Sequence, residues 1–382
     1  MIKTFDLIVV GAGVFGAWTA DELARRGRRV GLLDAYGAAN TRSSSGGESR
    51  IIRMGYGADE IYTRWARHSM GAWLTLAEES GQPLFHRTGV MRLAREGDSQ
   101  TRATIEVFDR LGVRFERLRG AALAARFPQI AFDADDEALY EPESGALMAR
   151  RAVFEVVRRF ERNGGTVLSG AVIAPRERGR LTTVTTAHGE TFGAEAFVFA
   201  CGPWFPKLFP ELLGERIHPT RQEVFFFGIP AGETAFAPSR MPTWVDFEAG
   251  FYGMPDLESR GFKIGLDRHG PSIDPDTDER APTPAILAEI RAFLARRFPA
   301  LRDAPLLESR ICQYENTSNG DFLIDRHPDL DNVWLLGGGS GHGFKHGPAI
   351  SEHLADLLFA QGAAEPRFAL QTKGTQPQRA VY

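Results

Sequence analysis

The chain has 382 residues, of which 43% are apolar and 25% charged, and its formal net charge is −4. That length can bury two hydrophobic cores, and the mild acidic balance argues against nucleic acid or a membrane surface as partner. The two cysteines, Cys201 and Cys312, lie far apart without metal-type spacing, no apolar run approaches a bilayer-spanning length, and a strand by residue 5 leaves no room for a signal peptide, so a reducing cytoplasm is expected.

In chain order, Phe5-Asp6-Leu7-Ile8-Val9-Val10 reads as a buried parallel strand. Gly11-Ala12-Gly13-Val14-Phe15-Gly16 follows at once. Ala17 to Arg26 then continues at helical spacing, with Ala17, Ala20, Leu23 and Ala24 on one face and charges on the other. Gly27 stops the helix, and Arg29 to Leu33 is a second apolar strand ending at Asp34. Strand, G-x-G-x-x-G, helix, strand and a terminal acid form a dinucleotide-binding pattern. Gly11 permits the tight turn, Gly13 admits a pyrophosphate close to the backbone, and Gly16 lets the helix pack on the strand. The N–H groups at the helix start, at Val14 and Phe15, face the anion. Asp34 would accept hydrogen bonds from a ribose diol. The pattern fits NAD or FAD, and a βαβ unit without a ligand is the bland alternative.

The loop from Ala39 to Arg50 holds three successive serines and two adjacent glycines. It is either a solvated linker or a set of close-approach donors, with Ser44, Ser49, Arg50 and Ile51 assigned to the cofactor. Ile61, Trp65, His68, Ala72 and Leu76 recur at helical spacing and are expected in the core. From about Phe85 short strands take over, beginning with Thr88 to Leu93, and helices are expected over Thr101–Leu111 and Ala152–Arg162. Thr166-Val167-Leu168, a hairpin-like Leu181 to Ala187 and the buried strand Phe197 to Gly202 follow. Between Arg221 and Tyr314 the chain reads as an antiparallel sheet, with strands at Val224–Ile229, Thr243–Phe247, Phe251–Met254 and Phe262–Leu266 and one helix at Pro282–Phe298. The apolar strand Asn332 to Leu336 and a helix from Gly347 to Ala360 close the chain.

These alternations predict an α/β fold. A Rossmann-type dinucleotide domain over 1–84, 145–217 and 318–382 is interleaved with an α+β substrate domain over 85–144 and 218–317 whose sheet is mostly antiparallel. A second glycine cluster, Gly337 to Lys345, joins a buried strand to a helix and again offers backbone N–H groups at a helix start. A tight strand–helix turn would explain it. So would the electron-rich carbonyl edge of a flavin, which a single NAD site would not require. Gly339, Gly341, His342, Gly343, Phe344 and Lys345 are assigned to that edge. His342 and His346 lie four apart but lack an evident third ligand, so no metal is expected.

Five separated stretches together resemble a known family: Gly11–Gly16 with Asp34, Gly47 to Arg53, Phe262 to Gly265, Cys312-Gln313-Tyr314 followed by Asp321 to Asp325, and Ser340 to Lys345. The chain resembles, over essentially its whole length, the FAD-dependent amine oxidases of the monomeric sarcosine oxidase and N-methyltryptophan oxidase group, within the D-amino-acid-oxidase-like fold. The resemblance implies FAD bound covalently through Cys312 at the 8α position, Arg53 and Lys345 clamping a substrate carboxylate, and Lys263 over the flavin where oxygen is activated. It places Arg50 and Tyr314 close to flavin and substrate. The implied partners are a small amino acid with a carboxylate and O2, and a monomer is expected.

The chemistry is coherent on its own terms. A bidentate Arg53 and a lysine charge at Lys345 would aim the substrate's C–H at the flavin. Neighbouring cations would lower the amine's pKa, so no general base is demanded. A fixed cation at Lys263 would stabilise superoxide as reduced flavin meets oxygen. Surface salt bridges for Arg50 and Arg53 and a solvated strand position for Lys263 are the plainer alternatives, and Cys201 is read as core. The chain also departs from the family. Ser45 and Gly46 stand where a histidine pair is usual, Asp267 stands where a histidine is common, and His346 and Pro348 replace small residues; these changes put sarcosine itself in question. The expected reaction is oxidation of a secondary or N-substituted amino acid to an imine with release of H2O2. A dehydrogenase using a quinone or carrier, an NAD-linked enzyme, or a non-catalytic flavin-binding subunit are the alternatives.

Overall fold

The structure is a computed structural model that describes residues 2–376; residues 1 and 377–382 of the expected cofactor domain lie outside it. Its first strand, Lys3–Val10, is central in a seven-stranded sheet because both of its faces are apolar and can be covered. Val30–Asp34 and Thr166–Ser169 flank it in parallel on one side. Thr191–Phe199 and then Val333–Gly337 flank it in parallel on the other. Leu323–Arg326 and Thr183–Thr185 add antiparallel edges.

The N-terminal helix, Val14–Arg25, crosses one face of this sheet and packs against helices Ala149–Arg162 and Gly347–Leu358. That covering corrects the expected charged outer face, since Asp21 and Glu22 are buried. Arg159 binds Asp21 through Nε and Nη2 at 3.0 and 2.7 Å, and Arg26 binds Glu22 at 2.7 Å. Both acids tolerate burial because each is paired. Helix Glu60–Ser80 also forms, but its buried face is set one residue away from the expected stripe. Tyr62, Ala66, Met70, Trp73 and Leu76 are buried, while His68 is exposed and bonds Glu352 at 2.6 Å. Ile61, Trp65 and Ala72 only flank the core. With aromatic residues on both sides of the helix, periodicity alone did not select the face.

An eight-stranded sheet forms the second body, in the order Leu306–Thr317, Ile217–Phe227, Phe262–Leu266, Phe251–Met254, Thr243–Asp246, Val90–Arg95, Asp136–Glu141, Glu116–Arg119. Every neighbour is antiparallel except Thr243–Asp246 beside Val90–Arg95. Helix Pro284–Arg297 closes an aromatic core around Trp244, Phe262, Phe293 and Phe298. Each such large side chain contributes about 1.5–3 kcal/mol by leaving water. The strand expected at Val224–Ile229 begins seven residues earlier, at Ile217. Its first half contains Pro219, which argues against a strand. However, the Pro219 carbonyl accepts from Ile273 N, so its missing N–H also points away from the Leu306–Thr317 partner and costs no bond in that ladder. A small third sheet, Arg50–Ile52, Gly145–Leu147 and Phe85–His86, lies between the two large ones in sequence and presents Arg50 and Ile51. No helix among the described residues is long and apolar enough to cross a membrane.

Candidate active site

The ends of the central parallel strands open into a cavity of about 450 Å³, within the range of small-molecule sites. The three motif glycines do different work in it. Gly11 has φ +104, and a Cβ there would lie 2.3 Å from the Ala200 carbonyl oxygen. At Gly16 a Cβ would strike the Gly11 oxygen at 1.8 Å. The fold itself demands both, and Gly16 lies outside the cavity lining. Gly13 is otherwise: its φ of −70 suits any residue, and a Cβ would meet only Ser45 Oγ, at 3.4 Å. What glycine preserves at Gly13 is open cavity.

Phe15 and Val14 line this space with Asp34 and Ser44. Asp34 closes the second strand and accepts from Ala12 N at 2.7 Å and Tyr36 N at 2.8 Å. Burial pushes its carboxyl up, against those N–H groups, which favour the charge. The Val14 N–H, expected for an anion, is already held by Ser45 Oγ at 3.0 Å. Ser45, which the sequence reading noted only as a departure, therefore caps the glycine-rich turn.

The long strand Leu306–Thr317 forms the partition between this cavity and a second of about 340 Å³. Side chains alternate across a strand. Gln313 and Glu315 accordingly face the first cavity, Cys312 faces the second, and Tyr314 borders both. Arg50, Ser340, Gly341 and Phe344 also border both, so the two spaces meet there. Glu315 Oε1 accepts from Gly339 N at 3.2 Å, while its Oε2 is buried with no hydrogen-bond partner among the described residues. Burial pushes this carboxyl up to about 7. Ser44 Oγ is likewise buried without a partner. Two orphaned polar atoms beside an open glycine cradle are what a polar ligand would satisfy.

The second cavity is lined by Ser49, Ile51, Arg53, Tyr252, Asp267, His342 and Lys345. Arg53 is buried with its guanidinium 4.4 Å from the Tyr56 ring centre and 5.1 Å from that of Phe247, and it bonds the Gly55 carbonyl. Glu141 fixes the chain just beyond it, accepting from Met54 N at 2.7 Å and Gly55 N at 3.1 Å. Lys345 Nζ donates to the Tyr56 hydroxyl at 2.5 Å and to the His342 carbonyl at 2.9 Å. Burial, reinforced by Arg53, holds its ammonium well below the ordinary lysine range. The His342 and His346 rings also face the Tyr56 hydroxyl, at 3.3 and 2.9 Å. His342 thus presents a ring engaged in the protein.

Lys263 and Cys312 meet behind the junction, both lining a small space beside Gly46-Gly47-Glu48. Lys263 Nζ donates to Ser49 O at 2.8 Å and Ser49 Oγ at 3.1 Å. Burial and the nearby Arg50 charge hold it well below the usual lysine range. Arg50 Nη2 lies 3.3 Å from Cys312 Sγ. Cys201, by contrast, is buried, and burial pushes its thiol well up. It nonetheless touches the first cavity as well as the core.

Sequence reasoning missed Tyr56, Glu141, Tyr252 and Glu315, and treated Asp267 only as a departure. Tyr252 sits on an expected strand and Glu315 follows Tyr314, so their alternation was a usable signal. Tyr56 and Glu141 carry none.

Residues 6–357 match the model of the FAD dependent oxidoreductase family. The chain is 33% identical to monomeric sarcosine oxidase of Bacillus sp. strain NS-129, covering 94% of this chain and 93% of that protein. It is 32% identical to N-methyl-L-tryptophan oxidase of Citrobacter koseri, covering 96% and 97%. Among solved structures, L-proline dehydrogenase from P. horikoshii superposes with a TM-score of 0.83 at 22% identity, over 97% of this chain and 98% of that one; that likeness concerns the fold.

Proposed function

The chain belongs to the FAD-dependent oxidoreductase family, and from that premise we propose that it is an oxidase of secondary or N-substituted amino acids, using O2 and releasing H2O2. FAD, when bound, supplies the acceptor for the substrate's hydride. The observation that carries the reading is the junction of the two cavities. A glycine-built cradle with orphaned polar atoms opens directly onto a space holding buried Arg53 and Lys345.

In this reading, Gly13, Phe15, Ser44 and Asp34 hold the adenosine and pyrophosphate end, and Gly339, Gly341, Gly343 and Phe344 hold the ring end. Gly11 and Gly16 support the turn from behind. Arg53 and Lys345 receive the substrate carboxylate, a charge-assisted pairing in a site shielded from water. Neutralising two buried cations compensates part of the cost of desolvating the substrate. Tyr314 and Tyr252 confine the substrate's body. Cys312, with Arg50 against its sulfur, tethers the flavin, and Lys263 with Ser49 serves the oxygen step. The protein acts as a monomer.

The test is a panel of N-methyl and cyclic secondary amino acids read by peroxide release on the native protein, with a separate portion precipitated with acid to locate the flavin's colour. Peroxide formation and yellow colour in the pellet are expected. Colour left in the supernatant would reject the Cys312 tether; a flavin-loaded protein inert to the whole panel would reject the oxidase reading.

A further inference from the structure

We infer that Asp267 accepts the proton of the substrate's ammonium, so that this site takes its amino acid as the zwitterion; the inference rests on the oxidase reading above. Asp267 follows strand Phe262–Leu266 directly, and its N–H donates to the Gly250 carbonyl at 2.8 Å. It is half-buried and lines the same cavity as Arg53 and Lys345. Among the described residues, the only hydrogen bond to its carboxylate comes from the Tyr314 hydroxyl, to Oδ1 at 3.3 Å. Oδ2 is left to the cavity.

The charged and titratable groups around it can be named from every side. Arg53, Lys345 and His342 share the cavity, His269 lies two residues on, the Tyr252 phenol comes from the adjacent strand and that of Tyr314 from the strand two places away. The Arg50 guanidinium borders the same space. Arg268 also lines the cavity, but its guanidinium is paired with Glu289, at 2.5 and 2.6 Å. Burial raises the Asp267 carboxyl, and Arg53 is the largest influence against that rise.

That balance shifts when substrate enters. A substrate carboxylate on Arg53 and Lys345 cancels positive charges that oppose the rise of the Asp267 carboxyl, whose proton affinity increases as it meets an ammonium. The remaining positive field of Arg50 meanwhile disfavours the ammonium. The N–H bond breaks with its electron pair staying on nitrogen, an O–H bond forms at Oδ2, and no net charge leaves the cavity. The freed lone pair is what loss of hydride from the adjacent carbon requires. The proton departs to solvent with the product. The acid would be a catalytic residue by contact with the amine.

The decisive experiment uses flavin-loaded protein mixed anaerobically with the best amine of the panel, in weak buffer with a pH indicator. Flavin absorbance reports binding and the indicator reports protons. Between the pKa of Asp267 and that of the amine, the wild type should release no net proton on binding and its dissociation constant should stay flat. In Asp267→Asn, close to one proton should be released per site, and the dissociation constant should rise about tenfold for each pH unit of acidification. Asp267→Glu should restore the wild-type proton balance. Proton release by the wild type itself, which needs no variant to fold, would overturn the inference, as would identical behaviour of Asp267→Asn; the latter would point to Lys345 as the acceptor. Turnover with either result leaves the oxidase reading standing, whereas a panel with no flavin-reducing amine overturns that reading and this inference together.

Discussion

The two cavities share a wall but are built from different material. The larger is built around glycine-rich backbone at the ends of parallel strands, with larger side chains such as Tyr36, Trp204 and Glu315 around it, and two of its polar atoms, Ser44 Oγ and Glu315 Oε2, have no partner among the described residues. The smaller of the two concentrates side-chain charge, with Arg53, Lys345, Asp267 and Arg50 around one space. A backbone cradle binds by shape and fixed dipoles, and it costs little to keep folded when empty. A cluster of buried charges costs several kcal/mol per ion unless it is paired, so it is kept where differential binding of a reacting group repays it. In the proposed reading, the contrast separates holding the cofactor from choosing and activating the substrate.

Variants should therefore sort by cavity. Arg53→Met should have the largest effect, lowering kcat/KM about 10²–10³-fold through loss of a buried charge-assisted pair while flavin content stays unchanged. Loss of flavin in this variant would break the separation. Lys263→Met should slow reoxidation of the reduced flavin by O2 about 10²-fold, with anaerobic reduction nearly intact; stopped-flow reoxidation rates measure it directly, and an unchanged rate removes Lys263 from the oxygen step.

Glu315 tests the other cavity through pH. Its carboxyl is held near 7 in the folded protein against a reference of 4.5. Below 4.5 it is protonated in both states. Between 4.5 and 7 the unfolded chain ionises while the folded one does not, so stability falls as pH rises through that window. The total is on the order of 3 kcal/mol, and it should vanish in Glu315→Gln. Denaturant unfolding of the apoprotein at pH 5 and 8 measures both; equal slopes in the two proteins would show Glu315 ionised when folded. Gly13→Ala should act least. It should weaken FAD uptake by apoprotein about tenfold in a Cys312→Ala background, with apoprotein stability unmoved because a Cβ there meets only cavity and Ser45 Oγ. Equilibrium titration with FAD checks the first part and thermal melting the second.

Much of the fold was legible because its signals are local. The run Phe5–Val10, the glycines after it and the acid at Asp34 are a strand, a turn and a strand end whatever surrounds them. The β-rich middle was legible by alternation, except where Pro219 hid the first half of a strand. The small sheet of Arg50–Ile52, Gly145–Leu147 and Phe85–His86 left no trace, since strands of two or three residues carry no period. The face of helix Glu60–Ser80 was misread because aromatic residues stand on both flanks and only the packed neighbours, Phe344 stacked on Trp73 among them, decide which side is buried.

By itself, then, the sequence determined the dinucleotide cradle and the order of the elements, because turns, strand ends and helix starts follow from residues adjacent in the chain. It also carried the resemblance that named Arg53, Lys345, Lys263 and Cys312. Only the tertiary structure decided that Tyr56, Glu141 and Asp267 join them. Lys345 reaches Tyr56 across 289 positions and Met54 N reaches Glu141 across 87, separations at which no spacing rule operates. A carboxylate becomes a candidate proton acceptor through the charges that face it across a cavity, and those are fixed by the packing of sheets.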